Sequence, residues 1–421
     1  MRGLAGASFK RTVRVWVVIC LAAGGVIFAL AGAAASDNYW NLARCLEFSR
    51  THAPKVRVAQ RGIEAARLDL KDAAVRFRPD VTVRLGYDVT EMEPEEGFAF
   101  QLRVSEIIDG YKKFYDGRLA ELEYEISLLK EHKAAFWAEY QVAWVYLNLL
   151  AGAKRAGLAQ GMLALAREKE AVLQTLLNQG LADPLLVRQA QLAAKSQELA
   201  LAEEETLNRS AEANLKALIG LEPGASFGLD AAQELSVVAS ELPAPPADNI
   251  DLALAELRAD ALAQLEKMTA MEKWPSPVLA VGWSEGGIYE TTGFYILVGA
   301  NLPLYTAGRQ GRQVERRRLE LDRHRLEQAR LKESLALKKA EVAAEVELGR
   351  RWLDLAREEV ALALDRLRVT AAAVERGKAR NLELIEARIA AGKSEAAALE
   401  AELGLCQNRL SLWALDQVVL E

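Results

Sequence analysis

The sequence predicts a mainly α chain with short β: long coiled-coil helices in two structural repeats, with four strands per chain patterned for a membrane. Three observations carry this. Landmarks recur about 196 positions apart, apolar residues in the short segments alternate with period two, and those in the long segments step by three and four.

The repeat has landmarks at both ends. Pro79 and Pro275 each open a β-like stretch, and Gly97 and Gly293 open the next one, 18 positions after each proline. Phe98 and Phe294 follow those glycines. Gly180 matches Gly377 at an offset of 197. Beyond it, Gln189-Ala190-Gln191-Leu192-Ala193-Ala194 lines up with Glu386-Ala387-Arg388-Ile389-Ala390-Ala391. Lys195-Ser196 then meets Lys393-Ser394, with Gly392 as an insertion. The two halves, 36–221 and 250–421, are joined by 222–249, where Pro223, Gly224, Pro243, Pro245 and Pro246 interrupt regular structure.

Taken in order, residues 1–35 read as an export signal. Arg2, Lys10, Arg11 and Arg14 are positive, 15–30 is apolar, and Ala33-Ala34-Ala35 before Ser36 fits an A-x-A cleavage site. Cleavage there would take the formal charge from −6 to −10. No other segment is a clean 18-residue apolar stretch, so membrane entry would require strands in a closed barrel. A first approach helix is expected over 38–77, and a second over 250–273.

Strands are expected at 80–89, 98–107, 277–284 and 293–303. Val81, Val83, Leu85, Tyr87 and Val89 alternate with polar residues or glycine, as do Phe98, Phe100, Leu102 and Val104 with Ala99, Gln101, Arg103 and Ser105. Lipid on one side and water on the other impose this pattern. The acidic loop Glu91-Met92-Glu93-Pro94-Glu95-Glu96 belongs in water. The second pair alternates less cleanly, because Tyr295 and Leu297 add apolar groups to the other face. Four strands cannot close a membrane barrel, whereas three chains would supply twelve.

Long helices are expected over 109–178 and 184–219, and over 308–375 and 381–419, each pair meeting at a glycine-marked turn. The first, 70 residues long, would reach about 105 Å if unbroken. Phe136, Tyr140, Trp144, Leu147 and Ala151 form one stripe; Ala387, Ala391, Ser394, Ala398, Ala401 and Leu405 form another. Their mean step is close to the 3.5 of a coiled-coil seam.

This ordered set resembles the TolC-like outer-membrane efflux family over nearly all of the chain after the signal. The specific points are Arg78-Pro79, Asn301-Leu302-Pro303-Leu304-Tyr305 before Gly308, Ala217-Leu218-Ile219-Gly220-Leu221, and the turns at Gly180 and Gly377. The resemblance implies a homotrimer forming an α/β-barrel duct: a twelve-stranded barrel in outer-membrane lipid and a helical barrel in the periplasm. It implies a passive channel for tripartite efflux or type I secretion, with a periplasmic adaptor (membrane fusion) protein and an inner-membrane pump as partners. The tip turns would be Gly180, Leu181, Ala182 and Gly377, Lys378, Ala379. Entrance carboxylates of the family map onto Glu383 and Glu386, where family members commonly have Asp. Spaced i, i+3, they share a helix face, and threefold symmetry would make two acidic rings. The first tip has only Asp183.

The alternative is a periplasmic coiled-coil scaffold or adaptor with a small soluble sheet. A hydrolase using Ser226 in Gly224-Ala225-Ser226-Phe227-Gly228 lacks the strand-turn-helix setting, and His52, His132 and His324 lie on expected helices. Gly392-Lys393-Ser394 lacks the first P-loop glycine, Ala387 standing there. No enzyme activity, cofactor or metal is expected, and the absence of a basic block argues against nucleic acid. Cys45 and Cys406 have no CxxC company, but the helix lengths place them at similar heights, leaving a disulfide open.

Overall fold

The chain is described by a computed structural model covering residues 39–75, 80–88, 97–107, 110–222, 224–229, 234–235, 249–285, 293–301 and 307–419. The export signal, Arg78-Pro79, the acidic loop, 302–306 and most of 230–248 lie outside the described residues.

Helices dominate because the long apolar stripes are uninterrupted by proline. A two-residue strand β1 (Tyr39–Trp40) precedes α1 (Leu42–His52) and α2 (Pro54–Val75). Strands β2 (Asp80–Asp88) and β3 (Gly97–Ile107) lead to α3 (Gly110–Asn178) and α4 (Pro184–Ile219). After β4 (Gly228–Leu229) the order recurs: α5 (Ile250–Met271), β5 (Ser276–Glu285), β6 (Gly293–Asn301), α6 (Arg309–Glu375) and α7 (Asn381–Gln417). With 69 and 67 residues, α3 and α6 are each roughly 100 Å long.

The first approach segment corrects its expectation. Tyr39 and Trp40 are extended, Asn41 caps α1 by accepting from the Arg44 amide, and Ala53 breaks the helix at ψ 133°. Pro54 explains the break: it disfavours helical backbone at the preceding residue and opens α2 at a position where no amide is needed.

The helices lie side by side in one layer. Near the sheet the order of neighbours is α2, α3, α5, α6; beyond the waist it is α4, α3, α7, α6. Thus α3 and α6 run throughout, while shorter helices stack end to end beside them. Asp251 ties one such junction: it pairs with Lys133 of α3 at 2.5 Å and accepts from the Val419 amide at 2.9 Å, beyond the end of α7. At the other junction Gly220, at φ 81°, turns α4 off against His52 of α1; a Cβ there would lie 2.5 Å from the His52 carbonyl oxygen.

The waist holds the largest core. Trp40, Leu42, Cys45, Tyr146, Leu147, Leu150, Leu215, Ile219, Leu235, Cys406 and Leu410 are buried together there. The parallel pairing of β1 with β4 (Tyr39↔Gly228, Trp40↔Leu229) clips the connection onto this core. Cys45 and Cys406 are both free. They share the waist as the helix lengths anticipated, but each stands as a buried thiol rather than in a disulfide. Burial pushes Cys45 up to about 12 and Cys406 up to about 11.

The four long strands form one antiparallel sheet in the order β2-β3-β5-β6. Its register lines apolar positions into rows across all four strands: Val81, Val104, Val281, Ile296 and Val83, Leu102, Trp283, Phe294. Val81, Val83, Trp283, Phe294, Ile296 and Val298 are exposed on the isolated chain. The blurred alternation of the second hairpin has a packing cause. Gly282 is buried opposite Tyr295, whose ring would lie 2.6 Å from a Cβ there, so the tyrosine covers the glycine. The edges, β2 and β6, each have one unpaired side within the chain.

Candidate functional site

The end of the helical layer farthest from the sheet carries the residues that the sequence singles out. Helix α3 stops at Asn178, and Gly180 takes φ 74°. Its amide donates to the Leu177 carbonyl at 2.9 Å, and the Leu181 amide to Leu176 at 2.8 Å. At the second tip Gly377 takes φ 68°, its amide donates to Val374 at 2.9 Å, and Lys378 to Ala373 at 2.8 Å. Both are the same left-handed closure, which needs glycine because a Cβ disfavours positive φ. Gly180, Leu181, Gly377 and Lys378 are exposed, whereas Ala182 and Ala379 are half-buried.

The restarts differ. Asp183 accepts from the Leu185 amide at 2.8 Å and Pro184 opens α4, so the first tip is side-chain capped. Arg380 stands before α7 and makes no side-chain cap bond. Asp183 thereby opens α4 with a side-chain cap.

The two tips adjoin. Leu173, Val187 and Ala190 of the first half are buried together, and Leu382 of α7 packs against them. Ile385 is fully buried one turn further on. These contacts fix the rotation of α7 and leave Glu383 and Glu386 on its exposed side. The two carboxylates are not equivalent. Glu386 accepts from Lys169 of α3 at 2.8 Å, whereas Glu383 makes no ion pair among the described residues.

Further ion pairs cross between α3 and α7. Arg388 lies 3.9 Å from Glu168, and Arg155 donates to Glu400 at 2.9 Å while lying 3.3 Å from Glu204 of α4. Arg155 thus joins three helices. Among the described residues no cluster of ligating side chains could hold a metal, and no helix is long and apolar enough to cross a membrane.

No family model matches the chain, and no curated protein matches it. Solved structures do. VceC, an outer membrane protein of Vibrio cholerae, superposes with a TM-score of 0.71 at 18% identity, over 90% of this chain and 96% of that one. The CmeC outer membrane channel of Campylobacter jejuni gives 0.75 at 14% identity, over 89% and 85%. The open-state MtrE outer membrane channel of Neisseria gonorrhoeae gives 0.72 at 16%, over 89% of each chain. The chain has the TolC-like fold.

Within the TolC-like fold, the sequence singles out Gly180, Gly377 and the Glu383–Glu386 face but does not show the pairs that Lys169 and Arg155 make between helices. Lys169 is 217 positions from Glu386, and only the packing of α3 on α7 brings them together. The visible signal was the run Arg167-Glu168-Lys169-Glu170, whose charges meet Glu198, Arg388 and Glu386 across the helix boundaries.

Proposed function

We propose that three copies of this chain close into a passive exit duct of a tripartite efflux or type I secretion system. The duct runs through the outer membrane and periplasm. The observation that carries this reading is a pair of uncovered sides. The sheet ends at β2 and β6, and the helical layer ends at α2 and α4 on one side and α6 on the other. Unpaired strand edges and uncovered apolar stripes are costly unless another chain meets them.

The two sides complement each other. On α6, Leu348, Leu355, Leu362 and Val369 are exposed at intervals of seven; on α4, Leu185, Leu192 and Leu199 are exposed at the same interval. Those are two halves of coiled-coil seams. Because different faces meet, the contact is heterologous and closes only as a ring. Three copies bring twelve strands, within the range of membrane barrels. The apolar rows of the sheet then face lipid.

In this duct the turns at Gly180 and Gly377 form the periplasmic mouth, facing a periplasmic adaptor and an inner-membrane pump that supplies the energy. Glu383 and Glu386 line the entrance as acidic rings. The chain performs no catalysis, and residues 1–35 direct its export and are removed in the process.

Electron microscopy of the detergent-purified protein tests the reading: a threefold tube is expected, fractionating with outer membranes. A compact monomer that stays dissolved without detergent would overturn it in favour of a periplasmic scaffold.

A further inference from the structure

Directly below the sheet, α6 carries a run of arginines on one uncovered side, and α2 on the other carries Asp69 and Asp72 with Arg67 and Lys71 among them. On α6, Arg309, Arg312 and Arg316 follow at three and four residues and share a face with exposed Leu319. That face is turned away from Leu321 and Leu335, the buried side of the helix. The Nη1 of Arg312 would lie 3.0 Å from a Cβ on Gly308, so its guanidinium folds back toward the sheet. On α2, Asp72 shares a face with exposed Leu68 and Val75, and Asp69 stands one turn earlier. Asp69, Asp72, Arg309 and Arg312 are exposed, and none makes an ion pair among the described residues. Glu64, further down α2, is already held by Arg61 at 2.6 Å.

The heights agree. Asp72 precedes β2 by eight residues and Arg309 follows β6 by eight; Asp69 and Arg312 are each eleven residues away. Strands β2 and β6 are the two edges of the sheet. If β2 of one copy pairs with β6 of the next, α2 and α6 emerge side by side from the junction, with these charges level. We propose that Asp69 and Asp72 of one copy pair with Arg309 and Arg312 of the next, forming an electrostatic collar at the base of the sheet. The occupant of each charged face is therefore a second copy of this chain, and the inference rests on the ring reading above.

The collar sets register. The leucine seams repeat every seven residues, so a neighbour shifted by one heptad would still bury leucine. Arginine recurs on α6 at Arg309, Arg316 and Arg323, but Leu319 stands seven residues after Arg312, and Gly62 and Ala65 stand seven before Asp69 and Asp72, so a shifted neighbour would pair one charge rather than two.

Native mass spectrometry of the full chain in detergent tests this. Arg309→Glu with Arg312→Glu should raise the monomer fraction about tenfold at fixed protein concentration, by replacing attraction with repulsion. Asp69→Lys with Asp72→Lys should do the same, and the four substitutions together should restore the trimer. The milder pair Arg309→Gln with Arg312→Gln should make dissociation less dependent on NaCl than in the parent. Trimers unaffected by both reversals, or a combined variant no better than either, would overturn the collar while leaving the ring intact. A monomeric parent chain would instead sink the ring.

Discussion

In the proposed duct, replacing Lys169 by Gln should increase the preference for cations, although the residue removed lies outside the acidic pair. Lys169 lies 2.8 Å from Glu386, so that pair contributes little net charge at the mouth, and Glu383 supplies the unbalanced carboxylate. From Glu383, Glu386 and Lys169 alone, three copies would contribute a charge of about −3 rather than −6. Lys169→Gln frees Glu386 and takes it to about −6; Glu383→Gln takes it to about zero. Glu386→Gln also takes it to about zero, because Lys169 is left uncompensated. At about 10 Å in water, three unit charges attract a monovalent cation by about 1.2 kcal/mol, and screening at 0.1 M leaves roughly 0.5 kcal/mol. That is a little over twofold in local cation concentration, and Lys169→Gln should approximately double the energy. Reversal potentials in planar bilayers under a KCl gradient read it directly. The expected order of cation preference is Lys169→Gln above the parent, and the parent above both glutamine variants. An unchanged or reduced preference in Lys169→Gln would refute the charge assignment, and unaltered ion preference in Glu383→Gln with Glu386→Gln would remove the rings.

Three other perturbations have signs fixed by the structure. Cys45 and Cys406 rise from 9.0 to about 12 and about 11, which lowers their thiolate fractions near neutral pH about a thousandfold and a hundredfold; native labelling with a thiol reagent should be slow, and prompt only after denaturation. Gly220→Ala places a Cβ 2.5 Å from the His52 carbonyl oxygen at φ 81°, and should cost about 2 kcal/mol in denaturant unfolding. Arg380→Asp supplies the missing cap on α7 and should stabilise the tip by about 1 kcal/mol, detectable as slower amide exchange there; Asp183→Ala should do the reverse at the first tip.

What the sequence revealed depended on range. Local signals were reliable: Pro184 and Ile219 bound α4 as expected, and Gly180 and Gly377 stop their helices because positive φ is a property of the residue itself. Pro54 was equally visible, but the apolar stripe running across it concealed the break at Ala53. Strand β4, only two residues long, has no period to detect. The pairing of Tyr295 over Gly282 looked like a flaw in alternation until the register placed the two opposite each other. The shared face of Glu383 and Glu386 was legible from their spacing but the pairing of Glu386 was not, since Lys169 reaches it only through the packing of α3 on α7.

The clip between β1 and β4 bears on the order of folding. Tyr39 is partnered by Gly228, almost half a chain away, and the same core draws in Leu410 near the other end. Contacts so distant in sequence form late, because closing the intervening loop costs entropy before any burial repays it. Each helical hairpin can zip from its glycine turn at once. The middle of the molecule must wait until both hairpins exist, so a subunit caught halfway would be two formed rods with a loose centre. Proteases would cut such an intermediate first around Tyr39–Trp40 and Gly228–Leu229.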